Sequence, residues 1–146
     1  LRQLKGAELD VAPDLFDNYQ ARATAMSNLV KNLYDNGVPL VAGTDNIAGF
    51  TLHRELELFA QAGIPNIEVI KIATINSAKL VGVAYELGSI SEGKFADVVL
   101  VDGDPLSNMS DIRKISLVVK GQHFYKPDEL YKVLGVKPFI ASASLH

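Results

Sequence analysis

The fold of this chain is decided by the stretch Val38-Pro39-Leu40-Val41-Ala42-Gly43-Thr44-Asp45. The residues before the glycine are a continuous apolar run, which is typical of a β-strand buried on both faces, as parallel strands covered by helices are. Gly43 ends the run and lets the backbone turn sharply. The carboxyl group of Asp45 therefore comes directly after a predicted buried strand.

Amphipathic helices are predicted on both sides of this strand. Residues 13–36 place apolar side chains at near-helical spacing, and Gly37 is suited to the left-handed conformation that ends a helix. After the strand, apolar side chains between residues 52 and 60 predict a second helix that ends near Gly63. The order helix, buried strand, helix belongs to an α/β layered fold.

The second half of the chain has a different character. A third helix is predicted from Asn66, as its N-cap, to Leu80. From Gly88 onward, glycine, serine and aspartate interrupt β-rich runs at 98–101 and 116–119. A small β unit is therefore expected after the α/β part.

The run at 116–119 is predicted to form a hairpin with the residues that follow it. Lys120-Gly121 forms a tight-turn signal before residues 123–125, which together indicate a hairpin. A short helix is predicted over 127–134, and the tail over 141–146 shows no pattern.

Composition and charge exclude several classes of function. The 146 residues have a hydrophobic fraction of 48%, a charged fraction of 21% and a net charge of −3, as in ordinary globular proteins. No basic stripe is visible, so a nucleic-acid partner is not expected. No apolar run approaches the roughly 20 residues that span a bilayer, so a membrane partner is not expected either. The absence of cysteine excludes disulfides and thiolate metal ligands.

The first residues of the chain predict a fragment. The chain begins with Leu1 rather than methionine, and its N-terminal stretch does not resemble a signal peptide. A targeting segment could lie upstream, so the compartment is not determined, with the cytoplasm slightly favoured.

Asp45 is the most informative candidate for chemistry. An acid at the C-terminal end of a buried strand lies where barrels and open α/β sheets gather their active sites. There it would be a metal ligand or a proton acceptor. The alternative is that Asp45 only caps the following loop or helix, and the local residues leave both open.

Five motifs, spread over roughly residues 38–121, resemble the amidohydrolase superfamily in content and order. The branch most resembled contains imidazolonepropionase-like and prolidase-like (Xaa-Pro dipeptidase) enzymes. The motifs are Ala42-Gly43-Thr44-Asp45, His53-Arg54-Glu55-Leu56-Glu57-Leu58, Ala73-Thr74-Ile75-Asn76-Ser77-Ala78-Lys79, Gly88-Ser89-Ile90-Ser91-Glu92-Gly93-Lys94-Phe95-Ala96-Asp97 and Asp102-Gly103-Asp104-Pro105-Leu106.

The resemblance implies a (β/α)8 TIM-type barrel with one or two divalent metals, usually zinc, and a small β-sandwich. Residues 1–84 would be the C-terminal end of the barrel, with its last strand and flanking helices. Residues 85–126 would be a sandwich segment, and 127–146 a C-terminal helix and tail. In the family, the acid after the eighth strand contacts the metal and takes a proton from the nucleophilic water. Asp45 matches that position, so the resemblance implies a catalytic and metal-binding role for it.

His53 lies eight residues after Asp45, at the start of the second predicted helix. Similar sequences of this branch often carry histidine there, although it is not a usual metal ligand. It is a candidate for substrate binding at the mouth of the site. An ordinary surface position on the helix is the alternative.

Other acidic residues are predicted to be structural. Asp97, Asp102 and Asp104 fall among turn-forming glycine and proline residues, where aspartate is favoured by its own side-chain hydrogen bonds. Glu55 and Glu57 are expected on solvated faces of the helix that buries Leu56.

The family's other metal ligands are not in this sequence. The family site begins with a His-x-His pair, and none occurs here. Since zinc ordinarily needs three or four protein ligands, the isolated chain is expected to hold no catalytic metal and to be inactive. The intact enzyme would hydrolyse a C–N bond of a small molecule, a cyclic amide or a dipeptide, through metal-activated water.

Two other interpretations remain open. The chain could be a non-catalytic interaction module, or a decayed amidohydrolase paralogue. If the chain is a fragment, its barrel strand lacks neighbours and exposes both faces and both edges, so homo-oligomerisation or other self-association is expected. The interaction module would likewise self-associate.

Overall fold

The structure, a computed structural model, describes residues 15–45 and 51–137. Helix α1 spans Phe16–Asp35, as predicted, and the predicted start at residues 13–14 lies outside the described residues. Gly37 ends it with a φ of 72°. The amides of Gly37 and Val38 donate to the carbonyls of Tyr34 and Leu33, at 2.9 and 3.0 Å. These bonds satisfy carbonyls that the helix end would otherwise leave unpaired.

The apolar run 38–42 does not form the predicted strand within the described residues. It has no sheet partner there, because the only described sheet consists of three later strands. Leu40 and Ala42 nevertheless pack against the core, whereas Pro39 and Val41 are exposed. The alternation is that of a strand with one face on a helix layer and its other face open.

Helix α2 spans Thr51–Gln61 and helix α3 spans Asn66–Lys71, with Gly63 at a φ of 96° between them. A π-helical turn, Ile72–Asn76, continues α3 into helix α4, Ser77–Leu80. The Ser77 hydroxyl donates to the carbonyl of Ile72 at 2.8 Å within that turn. The single predicted helix over 66–80 is therefore continuous but locally widened.

Asn66 does not cap α3 as predicted. Pro65 occupies the N-cap position, and no side chain caps the helix there. The Asn66 amide instead donates to the carbonyls of Pro105 and Leu106, at 3.0 and 2.9 Å. A partner about forty residues away thus takes the place of the local cap.

The β unit is a three-stranded antiparallel sheet in the order β1-β2-β3. Strand β1 is Val98–Val101, β2 is Ile115–Lys120 and β3 is His123–Tyr125, so the predicted runs and the hairpin are confirmed. A 3-10 helix, Met109–Arg113, lies between β1 and β2. Helix α5, Pro127–Val133, begins at its proline as predicted.

One apolar core joins the helices to the β unit. The 3-10 helix contributes a side chain to it, and the partly buried Leu40 and Ala42 flank it. The core therefore includes residues from both the α/β part and the later part of the chain. The predicted division of the chain into segments after residues 84 and 126 stays a prediction. The buried members are Leu56, Phe59, Ile64, Val69, Ile72 and Met109.

No helix in the described parts of the chain is long and apolar enough to cross a bilayer.

Candidate active site

Asp45 lies at the exposed end of the apolar run 38–42. The residue before it is tied to helix α2, because the hydroxyls of Thr44 and Thr51 are 2.8 Å apart. The inward packing of Leu40 and Ala42 fixes the run on its other side. The residue before Asp45 is therefore held near the start of α2, and Asp45 itself is exposed.

His53 lies in the first turn of α2 and is half-buried. Burial lowers the pKa of its imidazole, and the positive charge of Arg113 lowers it further, while Glu57 opposes them in part. Both effects favour the neutral ring at neutral pH. A neutral imidazole can donate one hydrogen bond and accept another.

The prediction that Glu57 lies on a solvated face is wrong. Glu57 is only 7% exposed, and both of its carboxylate oxygens are hydrogen-bonded. Arg113 donates through Nε to Oε1 at 2.5 Å and through Nη2 to Oε2 at 3.1 Å. Arg54 donates to Oε2 at 3.2 Å. A charged residue is buried at low cost only when it is paired in this way.

We call Glu57, Arg113 and Arg54 the ion-pair cluster. Burial raises the pKa of Glu57, but the hydrogen bonds and charges of the two arginines outweigh it and hold that pKa below its usual range. Glu55, on nearly the opposite side of α2 from Glu57, is partly buried, and its burial raises the pKa of its carboxyl. The solvated placement predicted for Glu55 is therefore only partly correct.

Two of the three turn acids, Asp97 and Asp104, have the structural roles that were predicted for them. Asp97 accepts hydrogen bonds from the Gly121 amide at 2.9 Å and from Lys120 Nζ at 3.1 Å, which anchors the hairpin turn. Asp104 accepts from Ser107 Oγ at 2.6 Å within its own turn. The hydrogen bonds to these carboxylates lower the pKa of both.

The structure leaves Asp45 exposed, and a carboxylate oxygen is a suitable ligand for a divalent cation, but other described carboxylates are equally exposed. In the described parts of the chain, no three histidine or acidic side chains are grouped so as to hold a metal. Among the described residues, Asp45 could thus supply one ligand but not a complete metal centre.

Arg113 is a residue of this region that no sequence pattern indicated. Its partner Glu57 is 56 residues away in the chain, so no local spacing could reveal the pair. The only available signal was that Glu57 comes directly after Leu56 and precedes Phe59 by two, on a helix that buries both of these apolar residues.

The fold and these residues define an α/β segment with an accessible acid beside a helix start. A family model described as "Amidohydrolase family" matches residues 3–123. Because the match covers most of the chain, this chain belongs to the amidohydrolase family.

Two curated relatives agree with this assignment. The imidazolonepropionase of Caldanaerobacter subterraneus subsp. tengcongensis is 31% identical over 100 residues, which are 63% of this chain and 24% of that protein. The 5-methylthioadenosine/S-adenosylhomocysteine deaminase of Thermoanaerobacter pseudethanolicus is 31% identical over 110 residues, which are 66% of this chain and 25% of that protein. The chain therefore spans about a quarter of the length of these relatives.

A solved structure shares the fold as well. A Xaa-Pro dipeptidase crystallised with methionine in its active site superposes with a TM-score of 0.65 at 31% identity. The match covers 68% of this chain and 25% of the dipeptidase chain. The imidazolonepropionase-like and prolidase-like branch indicated by the motifs is therefore confirmed.

Proposed function

We propose that this chain is the C-terminal part of a metal-dependent amidohydrolase that hydrolyses a C–N bond of a small molecule. The observation that carries the proposal is the exposed Asp45 carboxylate, tied through Thr44 and Thr51 to the start of α2. Its place after an apolar run that packs on a helix layer supports a position at the mouth of an α/β barrel.

Asp45 would be both a metal ligand and the proton acceptor of the reaction. When bound, a divalent metal such as zinc supplies a water of near-neutral pKa. Asp45 takes a proton from the attacking water as the new C–O bond forms. It then returns the proton to the nitrogen that leaves as the C–N bond breaks. An accessible carboxylate can accept and release this proton without disturbing the core.

His53 would contact the substrate in its neutral form. It lies on α2, whose first residue is tied to the residue before Asp45. Its lowered pKa, caused by burial and by Arg113, favours the uncharged ring at neutral pH. An uncharged ring can bind a polar group of a cyclic amide or a dipeptide by donating or accepting a hydrogen bond.

A cyclic amide or a dipeptide is the proposed substrate class. The sequence similarity to an imidazolonepropionase and the structural similarity to a Xaa-Pro dipeptidase support it. Deamination is the second candidate, because a deaminase relative matches over 110 residues at 31% identity. A panel of cyclic amides, Xaa-Pro dipeptides and aminopurine nucleosides, assayed for ring opening, proline release and ammonia release, distinguishes the candidates.

Metal content tests the role of Asp45. We expect the protein expressed from the whole reading frame to bind divalent metal, and Asp45→Asn to lose metal and at least about 100-fold in kcat. Asp102→Asn is the matched control, because Asp102 is an exposed turn carboxylate outside the site. Elemental mass spectrometry after dialysis measures the metal. An Asp45→Asn protein with unchanged metal and unchanged kcat would rule the proposal out.

A further inference from the structure

The Glu57–Arg113 pair joins two distant parts of the chain at one buried point. Glu57 belongs to helix α2, and Arg113 is the last residue of the 3-10 helix, Met109–Arg113. The Arg113 side chain is 18% exposed and that of Glu57 is 9% exposed. Two parallel N–H···O bonds hold the guanidinium and the carboxylate in one relative orientation, which a single bond would not do.

The start of the 3-10 helix is fixed independently of this pair. Met109 is buried in the core with Leu56 and Phe59 of α2. The Asn66 amide also holds the preceding turn by its bonds to the carbonyls of Pro105 and Leu106. Arg113 therefore extends from an element whose position is fixed by other contacts, so its bonds to Glu57 can fix the position of α2.

His53 lies on the same face of α2 as Glu57, because residues four apart in a helix are neighbours. The charged groups that act on the His53 ring are Arg113 of the 3-10 helix and Glu57 of its own helix, and they act in opposite directions. The ion-pair cluster is thus next to the proposed substrate-contacting residue rather than remote from it.

We propose that Arg113 is a positioning residue of the active site, which through its two bonds to Glu57 holds the turn of α2 that carries His53 and so fixes the position of the imidazole. The inference rests on the proposed function, since it assumes that Asp45 and His53 belong to the site. The 3-10 helix after β1 would then set the position of the start of α2 relative to the substrate. No described residue of that 3-10 helix has a proposed catalytic role of its own.

The test uses the whole protein and the variants Arg113→Met, Glu57→Gln and the double variant. Histidine-selective isotope labelling and NMR monitor the titration of His53, whose signal is assigned by its loss in His53→Gln. Steady-state kinetics on the substrate found in the panel give KM and kcat separately. Glu68→Gln is the matched control, because it removes the carboxylate of the exposed Lys71–Glu68 pair, which lies on a different helix.

We expect the two single variants to move the His53 titration in opposite directions. Arg113→Met removes a charge that lowers the pKa of His53, so the midpoint should rise. Glu57→Gln removes a charge that raises this pKa and leaves the charge of Arg113 uncompensated by Glu57, so the midpoint should fall. The double variant should return close to the wild type. Arg113→Met should also raise KM by about 3- to 10-fold with little change in kcat, as expected when a uniform binding contact is weakened.

A purely structural role gives a different result. If the pair only stabilises the fold, both single variants loosen α2 and expose His53 to water, and both midpoints rise. That outcome, or an unchanged KM in Arg113→Met, would overturn the inference. If Arg113→Met does not fold, Arg113→Lys replaces it: lysine keeps the charge but cannot make the paired bonds, so KM should rise while the midpoint changes little.

The two proposals fail separately. An Asp45→Asn protein with unchanged metal and unchanged kcat would refute the proposed function, whatever the NMR titrations show. Metal lost in Asp45→Asn together with parallel titration shifts in the two single variants would leave the proposed function intact and refute only the role of Arg113.

Discussion

Glu57 of helix α2 has a buried carboxylate, and its contribution to the free energy of unfolding depends on pH. Burial acts to raise its pKa, but Arg113 and Arg54 hold it below the usual range. A group with a lowered pKa in the folded state stabilises the fold above its unfolded-state pKa of about 4.3. That contribution is lost as the pH falls below this value and through the folded-state pKa.

Glu57→Gln should therefore lower the free energy of unfolding at pH 7 by about 3 kcal/mol, because it removes the charge that Arg113 faces in a mostly buried position. The difference from the wild type should shrink as the pH is lowered from about 5 toward 3. Urea denaturation at a series of pH values measures both. Glu68→Gln should change the free energy by less than about 1 kcal/mol, because its pair with Lys71 is exposed. Equal losses in the two variants at pH 7 would contradict this account.

The turn after α4 approaches the preceding helical segment closely at Gly88. Gly88 has a φ of 85°, and a Cβ there would lie 2.7 Å from Ala78 Cβ and 2.9 Å from Ile75 Cα. Lys94 donates through Nζ to the carbonyl of Leu87 at 3.2 Å and to Ser89 Oγ at 2.7 Å, which holds the turn in place. These bonds lie within the turn segment and keep it in the conformation that brings Gly88 against the helix.

Gly88→Ala should consequently destabilise the protein by about 3 kcal/mol, from backbone strain and from collision with the π-helical turn. Gly82→Ala is the control: its φ of 79° is just as unfavourable, but nothing lies within 4 Å of an added Cβ. Its cost should be about 1 kcal/mol, from the left-handed backbone alone. Thermal unfolding of the two variants gives the comparison, and similar shifts in Tm would show that the close approach does not matter.

At the scale of the whole molecule, much of the apolar surface of the described residues is uncovered. Helix α1 is 20 residues long and has no buried residue. Val30 and Tyr34, near its C-terminal end, touch the core, whereas Phe16, Tyr19 and Met26 are exposed. Exposed apolar surface of this kind promotes association.

Expressed as the 146-residue chain alone, the protein should self-associate, and Met26→Lys should weaken the association. Met26 is 60% exposed on the apolar side of α1. Asn28→Lys adds the same charge about 200° further around the helix and should have little effect. Sedimentation velocity over a range of concentrations measures the association. A wild-type chain that stays monomeric throughout would contradict the prediction.

Local patterns determined most of the elements of this protein. The apolar spacing of α2, the turn signal at Lys120-Gly121 and the proline at the start of α5 act over a few residues, and these elements form where they were predicted. The motifs also identified the family before any contact was known. Asp45 and His53 were singled out in the same way, and their roles remain predictions.

Only the tertiary structure decided which polar groups are buried and which distant groups they bind. Glu57 was expected in solvent because its neighbours along the chain cannot reveal Arg113, 56 residues later. Asn66 was expected to cap its own helix, but it binds carbonyls 39 and 40 residues away. Burial alternates along the run 38–42 as in a strand, but no strand forms there, because a strand needs a neighbouring strand to pair its backbone hydrogen bonds and no described residues supply one. Local propensity determines where helices and strands form, whereas pairing between distant polar groups determines which polar side chains are buried.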